Sequence, residues 1–369
     1  MTGFAAFEHG GNIYAAAGEL GLSPEAVLDF SANINPLGLP SGLKEQLASL
    51  LDGVVHYPEP EAAELRQALA ASHGCASESV IVGNGAAELL YLLCYTRKPR
   101  RVLVTAPTFS EYEKAARAAG AEVAYLPLAG ADGFALPWEQ MQADLAAADM
   151  FFLCNPNNPT GTLLKREAVL RLAAEAARQQ CFLLVDESFQ DFLPEQKKYS
   201  ILPDLPRMGD QAAVLRSLTK FYAIPGLRLG FMAGDAVLIQ ELTAKKDTWN
   251  VNFLAQQAGL WALRFRALKI EGRQRSRAYV AQAKQALYAA LAALPGVHAY
   301  EPAVNYILLD MKQTGLTSSQ WRERLKRRGI LVRDCANYVG LGDSHIRVAV
   351  RRQDENERLV AALTAELTK

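Results

Sequence analysis

The stretch "SLTKFYAIPGLRLG", Ser217 to Gly230, sets one lysine among hydroxyls, aromatics, a proline and glycines, with an arginine eight residues downstream. Short apolar runs flank it, "AAVLRSLT" on one side and "RLGFMAG" on the other. Five more, "SVIVGNG", "RVLVTAP", "AEVAYLPL", "DMFFLCNP" and "CFLLVDES", are bounded by Gly, Pro, Asn or Asp. All seven read as buried strands. Segments of helical spacing, such as Leu163 to Gln180, lie between several of them. This alternation predicts an α/β fold, a mostly parallel seven-stranded sheet between helices. In such a sheet ligands sit at the carboxyl ends of the strands. The polar motifs "GNGAAE", "PTF", "NPNNPTG", "DESF" and "SLTK" each follow an apolar run.

After about Asp235 the pattern changes to long helical segments up to Ala293, interrupted at glycines such as Gly259 and Gly272. The strand-like runs "AVNYILLDM", "ILVRDC" and "HIRVAV" follow, with a helix around Trp321 and a terminal helix, which predicts a smaller α+β domain. The expected division is an N-terminal segment, 1–40, joining the small domain and the active site, a large domain, 41–255, and a small one, 256–369.

At 369 residues the chain suits two domains. Thirty-nine basic residues balance thirty-nine acidic ones, so no overall field favours nucleic acid or an anionic membrane. An anionic ligand must be held by local groups. The run "RERLKRRG", Arg322 to Gly329, reads as a solvated helix face ending at a glycine cap. No signal peptide or apolar span is visible, and Cys75, Cys94, Cys154, Cys181 and Cys335 show no paired spacing. The expectation is a cytoplasmic protein with reduced core cysteines and no metal.

The strand-end motifs have chemical readings beside their plain ones. "VGNGAAELL" is a tight turn or a helix N-terminus offering N–H groups to a phosphate. Asp186 is a cap or a buried carboxylate that keeps a ring nitrogen protonated. "NPNNPTG" is a turn, or it aims Asn158 at a phenolate-like oxygen. Lys220 gains meaning from its company. Ser217, Thr219 and Arg228 form a phosphate-binding set, and a desolvated, cation-flanked lysine has the lowered pKa that an imine needs. These features together describe pyridoxal 5′-phosphate.

"NPNNPTG", "DESF", "SLTK" and "PGLRLG", in this order and spacing, resemble the fold-type I pyridoxal-phosphate enzymes, the aspartate aminotransferase group, over nearly the whole chain. The resemblance implies Lys220 as the imine lysine, Asp186 at the pyridine nitrogen, Asn158 at the phenolic oxygen and Phe109 stacked on the ring. It implies Gly85, Ala86, Ser217, Thr219 and Arg228 around the phosphate. It implies a homodimer whose sites borrow a tyrosine, with Tyr57 in "HYPEP" at that position. Phe189 stands where many relatives have a tyrosine that donates to the phenolic oxygen.

Arg347 in "HIRVAV" resembles the family's carboxylate-gripping arginine, which implies an amino-acid substrate. Arg333 in "ILVRDC" matches an arginine that binds a substrate phosphate in the histidinol-phosphate aminotransferase branch, or else is a surface arginine at a strand edge. "HGGNI", "LDFSANINPLGLP" and "RDCANYVGL" are similar to the threonine-phosphate decarboxylase branch of cobalamin biosynthesis. That similarity implies His9 and Arg333 at the substrate phosphate, Asn33 as an orienting residue, and decarboxylation of L-threonine O-3-phosphate. A histidinol-phosphate aminotransferase is the alternative.

Overall fold

The computed structural model describes residues 9–268 and 270–368. Residues 1–8 of the expected N-terminal segment lie outside it. Thirteen strands follow in chain order among the described residues. They are β1 (Leu28–Asp29), β2 (Val80–Asn84), β3 (Arg101–Ala106), β4 (Glu122–Pro127), β5 (Met150–Cys154), β6 (Phe182–Asp186), β7 (Ala212–Ser217), β8 (Leu229–Gly234), β9 (His298–Ala299), β10 (Tyr306–Asp310), β11 (Ile330–Leu331), β12 (Arg333–Asp334) and β13 (His345–Ala349). The helices are α1 (Ile13–Leu20), α2 (Leu43–Ser49), α3 (Ala63–His73), α4 (Gly85–Arg97), α5 (Glu111–Ala118), α6 (Trp138–Leu145), α7 (Arg166–Arg178), α8 (Ala236–Thr243), α9 (Phe253–Leu268), α10 (Ile270–Ala292), α11 (Ser318–Lys326) and α12 (Gln353–Leu367).

The seven apolar runs form one sheet in the order β2-β8-β7-β6-β5-β3-β4. Only β8 runs against its neighbours. Successive side chains in a strand point to opposite faces, and the two halves of the core divide accordingly. Phe151, Leu153, Leu183, Val185 and Val214 join one apolar cluster. Met150, Phe152, Leu184, Ala213 and Leu215 join the other. Helices cover both faces, which is why these strands are apolar along their whole length.

A second, antiparallel sheet has the order β12-β13-β10-β9. Ile307, Leu309, Ile346 and Val348 turn one of its faces toward Trp321, Leu359 and Leu363. The N-terminal segment is sewn to this unit. β1 pairs in parallel with β11, and the Ala349 N–H donates to the Phe30 carbonyl at 2.8 Å.

Two sequence expectations need correction. "ILVRDC" is not one strand: Ile330–Leu331 pairs with β1 and Arg333–Asp334 with β13. Nor do the glycines break the helices. Gly259 lies inside α9 and Gly272 inside α10, and the gap before α9 falls between Thr243 and Phe253. Gly259 serves packing instead. A Cβ there would lie 2.8 Å from Leu229 Cδ2 and 2.9 Å from Leu65 Cδ1. The run "RERLKRRG" ends α11 at Lys326, with Gly329 left-handed three residues on. It is laced by ion pairs, Lys326 with Glu19 at 2.7 Å and Arg324 with Glu366 at 3.5 Å. Among the described residues no helix is long and apolar enough to cross a membrane.

Because α9 approaches α3 and β8 without room for a side chain, Gly259→Val should cost about 1–3 kcal/mol. Urea unfolding checks this; an unchanged midpoint would mean that Leu65 and Leu229 give way freely.

Candidate active site

A cavity of about 470 Å³ opens where the carboxyl ends of β5, β6 and β7 meet the small sheet and the N-terminal segment. Asp186 closes β6 and is 5% exposed. Both its oxygens accept: Oδ2 from the Tyr112 hydroxyl at 2.7 Å and Oδ1 from the Ser188 N–H at 2.8 Å. Lys220 follows β7 and donates from Nζ to Ser217 Oγ at 3.2 Å. Burial is the main cause that pulls its ammonium down to about 8; the Asp186 charge opposes the fall, while Arg228 and Arg347 add to it. An amine with that value is a usable nucleophile near neutral pH.

A cradle lies next to it. α4 begins at Gly85, whose φ is 80°, and its first N–H groups have no partner within the helix. A Cβ at Gly85 would fall on the Arg228 guanidinium, and one at Gly230 would lie 2.9 Å from Cα of Ala86. Arg228 itself takes a left-handed φ of 58°, a conformation that costs an ordinary residue energy and that the surroundings must impose. The Ser217 and Thr219 hydroxyls are 2.7 Å apart. Helix N-terminus, two hydroxyls and a guanidinium make a set suited to a phosphate. Phe109, Asn158 and Asp186 line the same cavity. The residues present therefore fit pyridoxal 5′-phosphate.

The far wall carries Arg347, Arg333, Asn33 and His9. In β13, Arg347 alternates with the core residues Ile346 and Val348, so it faces the cavity. It donates to Asn158 Oδ1 and, at 2.7 Å, to the Ser31 carbonyl, while its buried Nε has no partner. Asn158 thus retains its amide nitrogen for the cavity. Arg333 is not a surface arginine. It is 5% exposed, donates to Asn337 Oδ1 at 2.8 Å and lies over the Tyr338 ring at 5.1 Å. It stands directly opposite Arg347 in the β12–β13 register. Asn33 is buried with its Oδ1 unpartnered. His9 reaches the cavity with Nε2 2.8 Å from Glu111 Oε1.

Tyr57 is elsewhere. It is 78% exposed and stacked on Trp249 at 4.5 Å, outside its own chain's cavity. Phe189 is buried edge-on to Tyr306 at 5.0 Å and brings no hydroxyl to the cavity it lines. Of the cysteines, Cys94, Cys154, Cys181 and Cys335 are buried and Cys75 is half-buried, all unpaired. Burial pushes the four buried thiols up to about 12. Among the described residues no cluster of three or more His, Cys, Asp or Glu is placed to hold a metal ion.

Sequence reasoning missed Tyr112, Glu111 and Tyr338. Tyr112 had a legible signal, for it follows Phe109 by three residues and so shares its side of the turn into α5. The two rings meet edge to face at 5.6 Å.

The description "Aminotransferase class I and II" matches residues 25–363, and the chain belongs to that family, whose enzymes use pyridoxal 5′-phosphate. Threonine-phosphate decarboxylase of Salmonella typhimurium is 39% identical over 362 residues, 98% of this chain and 96% of the relative. Histidinol-phosphate aminotransferase of Symbiobacterium thermophilum is 36% identical over 95% of this chain and 92% of its own length. The crystal structure of L-threonine-O-3-phosphate decarboxylase from Porphyromonas gingivalis superposes with a TM-score of 0.83 at 28% identity, covering 93% of this chain and all of that one.

Two outcomes are expected. Tyr112→Phe keeps the ring contacts but removes a donor from a buried carboxylate, a loss of about 1.5–3 kcal/mol. A urea midpoint for the cofactor-free variant equal to that of the parent would mean that Ser188 alone fixes Asp186. Second, the rate at which the cofactor-free protein captures pyridoxal 5′-phosphate should climb with the neutral fraction of Lys220 and level off above pH about 8. Absorbance-monitored capture at a series of pH values tests this; a rise continuing toward pH 10 would contradict the lowered value.

Proposed function

We propose that the protein decarboxylates L-threonine O-3-phosphate to (R)-1-amino-2-propanol O-2-phosphate and carbon dioxide, a step of cobalamin biosynthesis. The observation that carries this reading is the pairing of Arg333 with Arg347 across β12–β13, both 5% exposed and both lining one cavity. Like charges set directly opposite in a sheet destabilise it. A small substrate with two anionic groups, one for each guanidinium, relieves that cost. Threonine phosphate meets this with a carboxylate and a phosphate a few bonds apart.

Bound pyridoxal 5′-phosphate supplies an electron sink for whichever Cα bond stands perpendicular to its ring. The chain selects the bond. In this reading Gly85, Ala86, Ser217, Thr219 and Arg228 hold the cofactor phosphate, Phe109 covers the ring, and Asn158 donates to its phenolic oxygen. Asp186 would hold the proton at the ring nitrogen, Lys220 would anchor the cofactor, and Lys220 or a water would return a proton to the substrate Cα. Arg333 and His9 take the substrate phosphate, Arg347 steadies the carboxylate, and Asn33 helps to orient the substrate. Fixing both anionic arms fixes rotation about Cα.

Arg347 has a property that suits carboxylate loss. Two of its nitrogens already serve Asn158 and Ser31, so the departing carboxylate leaves behind a guanidinium that keeps partners. A full fork onto the carboxylate would stabilise the ground state most and resist its departure. Family enzymes are typically dimers, and the exposed Tyr57 is assigned here to the partner's cavity.

Purified protein loaded with pyridoxal 5′-phosphate should release carbon dioxide from L-threonine O-3-phosphate over many turnovers with no keto acid added. Carbon dioxide trapping checks it. No release, together with conversion of the cofactor to its amine form by histidinol phosphate, would place the activity with the aminotransferases instead.

A further inference from the structure

We propose that Lys114 is a further contact for the substrate phosphate, and that the buried carboxylate of Glu111 is the positioning residue that presents Lys114 and His9 together to the cavity. This rests on the reading of the substrate as a phosphorylated amine.

Charge counting raises the need. A phosphate monoester carries close to two negative charges at neutral pH. In the proposed arrangement Arg228 serves the cofactor phosphate and Arg347 the carboxylate. Arg333, with His9 beside the same cavity, is then, among the described residues, the one guanidinium left for the substrate phosphate.

The geometry points to where the remaining charge comes from. Glu111 opens α5 and is 8% exposed. Its Oε1 lies 2.8 Å from His9 Nε2 and 3.4 Å from Lys114 Nζ, and its Oε2 accepts from the Tyr91 hydroxyl at 3.1 Å. His9, Glu111 and Lys114 all line the cavity. The turn that leads into Glu111 neighbours the support of Arg333: Phe109 and Ser110 share a small cleft with Asn337 and Tyr338, the residues that hold Arg333. The same loop is pressed against the end of β3, where a Cβ at Gly340 would lie 3.2 Å from the Ala106 carbonyl.

A carboxylate in an anion-receiving wall would repel its ligand unless its charge were used within the wall. Both Glu111 oxygens are engaged. Burial works to raise its pKa, but the hydrogen bond and charge of His9, then Lys114 and Tyr91, hold it below the usual range. The group is therefore an anion that gathers Lys114 and His9 at one point of the wall. Its sequence spacing from Lys114, three residues along one helix, keeps that cation on the cavity side.

The test uses full-length protein loaded with pyridoxal 5′-phosphate. Dissociation constants are read from cofactor absorbance for L-threonine O-3-phosphate, histidinol phosphate and unphosphorylated L-threonine. Lys114 is 45% exposed, so Lys114→Gln should weaken binding of the phosphorylated compounds by about threefold to tenfold. L-threonine binding should be unchanged, and Lys114→Arg should restore the preference. Glu111→Gln should erode the same phosphorylated-over-unphosphorylated ratio. A ratio unmoved by Lys114→Gln, or L-threonine binding lost in equal measure, overturns the assignment. If the parent protein prefers histidinol phosphate, the decarboxylase reading falls while that ligand's ratio still decides on Lys114. A parent that binds phosphorylated and unphosphorylated compounds alike overturns both.

Discussion

Positive charge gathered in one place is the constraint from which the rest of this molecule follows. Lys220, Arg228, Arg333 and Arg347 face a cavity whose acids, among the described residues, are Asp186 and Glu111. Such an arrangement is costly unless each cation has fixed partners or a ligand. The partners come from every part of the chain: Asn158 and Ser31 for Arg347, Asn337 for Arg333, Ser217 for Lys220. The two sheets and the N-terminal segment meet because these side chains must be supported from several directions at once.

Rigidity at the strand ends has its own device. Glu187 and Arg216, the chain neighbours of Asp186 and Ser217, form an ion pair at 2.8 Å with side chains 0% and 4% exposed. Ser200 and the Ile201 N–H donate to the same carboxylate at 2.7 and 2.9 Å. Removing one partner of a pair so enclosed typically costs about 3–5 kcal/mol. The pair ties the ends of β6 and β7 together one residue away from Asp186 and Ser217. Asp186 and Lys220 are held to each other through the backbone as well as through their charges.

The large sheet was legible because each of its strands is an apolar run short enough, and bounded sharply enough, to be nothing else, and because strand ends in a parallel sheet announce the site. "SLTK" and "DESF" therefore led to Lys220 and Asp186 without any tertiary information. Pairing choices were not legible. Whether "ILVRDC" makes one strand or two depends on β1, some three hundred residues earlier, and no local pattern encodes that. Gly259 misled for a related reason: within a helix a glycine reads as a break, yet here it admits Leu65 and Leu229. Glu111 was invisible because its meaning comes from His9, 102 residues away. The same holds for Arg333, whose register partner Arg347 becomes apparent only once β12 and β13 are laid side by side.

The N-terminal segment carries a consequence for how the chain comes into being. Its Ser31 carbonyl accepts from Arg347, its Asp29 carbonyl accepts from Arg351 at 2.9 Å, and its Asn35 N–H donates to the Lys220 carbonyl at 3.0 Å. The first and third of these shape the cavity, and two of the three partners lie 316 and 322 residues further along the chain. A ribosome can therefore complete the large sheet, with Lys220 and Asp186 in place, well before residues 29–35 have anything to bond to at the small sheet. Contacts of such long sequence separation form late and slowly. Until β13 has been made the chain exposes a charged half-site, and the arrival of that strand recruits residues 29–35 to close it.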